Sequence, residues 1–165
     1  MFIEISLKRP RPHVKRCALI VDGDPDLRKS LAKQLERIDF DVLSTNHYEG
    51  GVQCLATHDF HFVCVDVQLP NRSGYELCEH MRTALGLGTL PILMMSEYGT
   101  PEDLAYAESA GANAFLCKPF SMREFTDCVE SLLTATRWTA PSIHELQPLV
   151  ARRRLTGIAS RIRSP

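Results

Sequence analysis

The sequence predicts an α/β domain with a doubly wound parallel sheet and helices on both faces. Two observations carry this. Five short apolar runs alternate with five stretches of helical periodicity between residues 17 and 134. The runs are short and almost wholly apolar, so they read as strands buried on both sides, which is the habit of parallel sheets. Such an alternation implies right-handed crossovers. The length of 165 residues suits one domain with extensions.

The elements follow in order. "CALIV" (17 to 21) is the first strand. After it, Asp24 stands where an N-cap belongs, Pro25 takes the first helical position, and Leu27, Leu31, Leu35 and Ile38 recur at helical spacing. "DVLST" (41 to 45) is the second strand and residues 48 to 57 the second helix. "FVCVD" (62 to 66) precedes a helix over 73 to 84, and "PILMM" (91 to 95) precedes one over 101 to 110. "AFLC" (114 to 117) is the last strand, and the helix over 121 to 134 opens with Ser121 and Glu124 at capping-box spacing.

The formal charge of -1 hides a segregation. Residues 1 to 16 carry five Lys/Arg and one Glu, a net +4, and form a basic N-terminal extension. Residues 17 to 136, the folded body, carry eight Lys/Arg and eighteen Asp/Glu, a net -10. Residues 137 to 165 carry six Arg and one Glu, a net +5. On a helix, Ala151, Leu155, Ile158 and Ile162 of this C-terminal extension share one stripe, with arginines in the other directions. It reads either as a basic amphipathic helix, docking on the acidic body, a partner, a membrane surface or nucleic-acid phosphates, or as a disordered tail. It is too short for a helix-turn-helix effector domain, so strong nucleic-acid binding by this chain is not expected.

Six cysteines, Cys17, Cys54, Cys64, Cys78, Cys117 and Cys128, show no C-x-x-C pair and read as reduced, mostly buried small residues. The histidines show no metal spacing. No run approaches the eighteen or so apolar residues of a transmembrane segment, and no signal-peptide pattern opens the chain, which makes the cytoplasm the expected location.

Function is sought at the carboxyl ends of the strands, where open α/β sheets form their crevice. Asp22 follows the first strand, Asp66 ends the third, Ser96 follows the fourth, and Lys118 follows the fifth. An acid, an acid, a hydroxyl and an ammonium thus meet on one rim. At these residues the chain resembles the receiver domain of two-component response regulators. "DVQLPNRSG" (66 to 74) is similar to the phosphoacceptor loop, "MMSEYG" (94 to 99) supplies Ser96 as the switch hydroxyl, and "GANAFLCKPF" (111 to 120) supplies Phe115 as the switch aromatic and Lys118-Pro119 as the lysine and its cis proline.

The resemblance implies a flavodoxin-like (CheY-like) strand order of 2-1-3-4-5 and Mg²⁺-dependent phosphoryl transfer to Asp66. The donor would be a histidine kinase or phosphotransfer protein. The output would be a downstream effector protein or an effector region outside this chain. It further implies a signalling domain, not a conventional enzyme, with only self-phosphorylation and self-dephosphorylation. Its metal ligands would be Asp22, Asp66 and the backbone carbonyl of Gln68, a hard oxygen set that suits Mg²⁺. Gly23 departs from the family, which places a second metal-binding acid there; Asp24 is an auxiliary acid that reaches the site through water, or simply the helix cap. The competing expectation is a phosphorylation-independent interaction module of the same fold. Asn113-Ala114 also replaces a pair of acids that the winged-helix subgroup uses in its dimer, so that dimer is not expected.

Overall fold

The computed structural model describes residues 15–134, so the two basic extensions, apart from Lys15 and Arg16, lie outside the described residues. Ten elements alternate along the chain: β1 (Arg16–Val21), α1 (Pro25–Arg37), β2 (Phe40–Thr45), α2 (Tyr48–Thr57), β3 (Phe62–Asp66), α3 (Gly74–Thr83), β4 (Ile92–Ser96), α4 (Pro101–Ser109), β5 (Ala114–Cys117) and α5 (Met122–Thr134). The five strands form one sheet in the order β2-β1-β3-β4-β5, every pair parallel. This is the flavodoxin-like arrangement expected from the sequence.

Successive strand residues point to opposite faces, and each face is sealed by helices. Leu19, Val21, Val63, Val65, Ile92 and Met94 pack with Leu77 and Met81 of α3 and Ala107 of α4. Ala18, Ile20, Phe62, Cys64, Leu93 and Met95 pack with Leu31 and Leu35 of α1 and Phe125 and Val129 of α5. The helix starts are capped as the sequence suggested: Asp24 accepts the N–H groups of Asp26 and Leu27, and Ser121 and Glu124 bond reciprocally. Thr100 and Asp103 form a second capping box at α4.

Three strands begin away from their expected first residues, β2 among them at Phe40, which pairs with Arg16 of β1. β1 starts at Arg16, whose guanidinium lies 4.5 Å from the Phe40 ring centroid and donates to the Ile38 carbonyl. β4 starts at Ile92 because Pro91 has no N–H to give a ladder, although its carbonyl still accepts from Val63. The Ile92 N–H is taken instead by the side chain of Asn113 at 2.9 Å.

That asparagine belongs to a buried polar cluster at the amino-terminal edge of the sheet. Arg82 of α3 donates to Asn113 Oδ1 at 2.7 Å and to the carbonyls of Gly111, Leu90 and Leu87. Burial pulls this guanidinium below its ordinary value. Its four acceptors offset that cost, as a buried cation requires. Gly111, at φ +91, allows the approach, since an added Cβ would press on the Arg82 stem. Among the described residues no helix is long and apolar enough to cross a membrane.

Candidate functional site

Strand register assembles the site. Val21 pairs with Val65, which sets Asp22 beside Asp66, and Ser96 pairs with Cys117, which sets Lys118 just beyond both. The Lys118 N–H also donates to the Ser96 carbonyl at 2.7 Å, fastening the end of β5 to β4.

Lys118 Nζ then lies 2.8 Å from Asp22 Oδ2 and 3.2 Å from Asp66 Oδ2. The side chains are 15%, 0% and 10% exposed for Lys118, Asp22 and Asp66, so the triad is shielded from bulk water. Burial, and next the charge of Asp22, raise the Asp66 carboxyl above its ordinary value, while Lys118 and the Gln68 N–H pull the other way. For Lys118, burial works against the ammonium, but its hydrogen bond to Asp22 and the charges of both acids outweigh that and raise it. The arrangement is an ammonium held between two carboxylates at a strand-end rim.

The surrounding loops hold it in place. Asp22 Oδ1 accepts the Asp24 N–H at 2.8 Å. The Val67 N–H bonds the Met95 carbonyl and the Gly74 N–H bonds the Val67 carbonyl, so the loop after Asp66 closes tightly onto α3. Gly74 is required there, because an added Cβ would overlap the Asp66 carbonyl oxygen. Leu69 tucks beneath the loop, and Arg72 crosses it with its guanidinium 3.9 Å from the Tyr48 ring centroid.

The remaining sequence-predicted residues are placed as follows. Ser96 is buried, and its Oγ accepts the Tyr98 N–H at 3.1 Å. Phe115 is buried on the α2–α4 side of the sheet. Gln68 is exposed beside Asp66. Asp24 is exposed, and hydrogen bonds from the Leu27 and Asp26 N–H groups hold its carboxyl below the usual range, so the helix cap engages its Oδ1. An added Cβ at Gly23 would meet nothing within 4 Å. Among the described residues no group of three His, Cys, Asp or Glu side chains gathers around a cation-sized space. The acids that converge are two, Asp22 and Asp66.

One participant was not foreseen. Arg28, in the first turns of α1, donates to the carbonyls of Asp22 at 2.6 Å and Gly23 at 3.1 Å. Its position on α1 carries no signal for this contact, because the partner is backbone rather than a side chain.

A family model described as the response regulator receiver domain matches residues 18–130. The chain belongs to this family. As a receiver domain it is a signalling unit of two-component systems, not a classical enzyme. It is 32% identical over 124 residues to the transcriptional regulatory protein GltR of Pseudomonas aeruginosa, covering 75% of this chain and 51% of that protein. With the alkaline phosphatase synthesis transcriptional regulatory protein PhoP of Bacillus subtilis it shares 30% identity, covering 75% and 51%. The receiver chain thus spans about half the length of these relatives. Among solved structures it resembles a CheY-like receiver domain protein from Methanospirillum hungatei (25% identity, TM-score 0.65, 72% of this chain and 94% of that one). The chemotaxis regulator CheY4 of Vibrio cholerae shares the fold at 22% identity and a TM-score of 0.69, covering 72% and 99%.

Proposed function

We propose that this receiver accepts a phosphoryl group on Asp66 from a phosphohistidine of a histidine kinase or phosphotransfer protein, in the cytoplasm. The observation that carries the reading is the Lys118 ammonium set between Asp22 and Asp66 at the strand-end rim. An Asp66 oxygen attacks phosphorus, the P–O bond forms as the P–N bond breaks, and the imidazole nitrogen keeps the electron pair. Lys118 offers positive charge to the arriving phosphoryl oxygens without moving far.

Asp22 and Asp66 converge, and with the Gln68 carbonyl they would make a hard oxygen set suited to Mg²⁺, with open space beside Gly23. In this reading Asp22, Asp66 and the Gln68 carbonyl would hold the ion, which would supply charge to offset repulsion between carboxylate and phosphoryl oxygens. With Gly23 in place of an acid, binding is weaker than in a three-acid site.

The Ser96 hydroxyl turns to donate to the phosphoryl group and so draws on the Tyr98 N–H it now accepts. Phe115 follows inward, and the surface of β4, α4 and β5 changes for a downstream effector. Water then cleaves the acyl phosphate and resets Asp66.

The test is intact-mass measurement after incubation with a small phosphodonor and Mg²⁺. One added phosphoryl group, lost in Asp66→Asn, is the expected result. No mass shift at high donor and metal overturns the reading.

A further inference from the structure

α4 and the loop before it carry acidic charge without a basic counterpart in the sequence around them. Between Arg82 and Lys118 the sequence has no Lys, Arg or His, while Glu97, Glu102, Asp103 and Glu108 all fall there. The last turn of α4 carries no basic residue to complement the negative end of the helix dipole. On this acidic face stand Tyr98 and Tyr106, at 60% and 65% exposure the large hydrophobic residues most open to solvent among those described. Tyr106 borders a shallow depression with Glu102, Ala105 and Ser109. Acid, aromatic surface and a shallow recess together match a ligand that is basic and apolar on alternate sides.

This chain carries such a ligand. Residues 151 to 163 contain five arginines and no acid, with Leu155, Ile158 and Ile162 at spacings that share one face if the segment is helical. These residues lie outside the described ones, so the argument uses their chemistry and not their conformation. The chain between Thr134 and Ala151 reaches about 55 Å at full extension, enough to round the β5 edge of a small domain. We propose that residues 151–163 dock on the acidic face of α4, with Leu155, Ile158 and Ile162 against Tyr98 and Tyr106 and the arginines against Glu97 and Glu102.

The docked segment would cover the face whose Tyr98 is one hydrogen bond from Ser96. Docking itself does not depend on phosphorylation; only that last coupling rests on the proposed function of Asp66. A chain that takes no phosphoryl group therefore still tests the docking.

The experiment is amide hydrogen exchange on the full 165-residue chain. It is run at two protein concentrations and in low and high salt, with a Glu102→Lys/Tyr106→Ser variant and an Ile158→Ser/Ile162→Ser variant beside it. At low salt, residues 151–163 and the α4 face should exchange about fivefold more slowly than with the contact broken, and salt should remove the effect as screening sets in. Both variants should lose the protection, and the tail variant leaves the folded body intact. Free exchange of 151–163 at low salt overturns the proposal. So does protection that survives the Glu102/Tyr106 change, or that grows with concentration as for a second copy. Protection seen only after anionic vesicles or nucleic acid are added assigns the segment to those surfaces and overturns it as well.

Discussion

Asp66 titrates in a setting that favours its proton. Its folded-state value is raised, so the folded chain binds more protons than the unfolded one between the ordinary carboxylate value and the raised one. Stability therefore falls as pH climbs through that window and stays lower above it. Asp66→Asn removes one of two crowded carboxylates while Lys118 keeps Asp22, and urea unfolding at pH 7 should show a gain of about 1 kcal/mol. A loss instead would mean that Lys118 needs both acids to hold its place. Gly23 permits a complementary test. Gly23→Asp adds a carboxylate where an added Cβ meets nothing within 4 Å, and calorimetric titration should show Mg²⁺ bound about tenfold more tightly. Arg28, 3.1 Å from the Gly23 carbonyl, is the competitor: unchanged affinity would show that the new acid pairs with that guanidinium. Asp22, Asp66, Ser96 and Lys118 were legible because a strand end is a topological address. Arg28 was not, since nothing in residue type marks a side chain that bonds backbone carbonyls around a glycine.

At the scale of the element, α1 depends on a cap that is also part of the site loop. Asp24 holds the first N–H groups of the helix while its own N–H holds Asp22. Its lowered value means that its contribution to stability is present above the unfolded carboxylate value and lost as pH falls through the folded one. Asp24→Ala should therefore melt lower than the parent at pH 7 and converge with it in acid; a gap that persists at low pH would locate the loss elsewhere. All five strands and five helices were readable from periodicity, with caps marked by Asp24 and Ser121, while the Thr100 capping box of α4 was not read. The starts of β1, β2 and β4 were harder to read. Arg16 joins β1 through its contacts with Phe40 and Ile38, and β4 waits one residue for an N–H after Pro91. Such contacts are tertiary, and local pattern does not encode them.

In the molecule as a whole, the sheet divides two cores that share every strand. Leu35 of α1 and Leu77 of α3 lie on opposite faces, both fully buried. Leu35→Ala and Leu77→Ala should each cost about 3 kcal/mol in denaturant unfolding, and each should leave one transition for the described body. Two separated transitions would show the layers to be independent. The Arg82 cluster has a mechanical consequence. One guanidinium rivets the end of α3, the loop to β4 and the approach to β5 at the same edge of the sheet. β4 and β5 are therefore levers with a common hinge at their amino ends. A displacement at the far rim would grow with distance from that rivet, so the loop at Tyr98 would travel furthest, while Lys118 is held by Asp22 and Asp66 and the residues around Asn113 stay still.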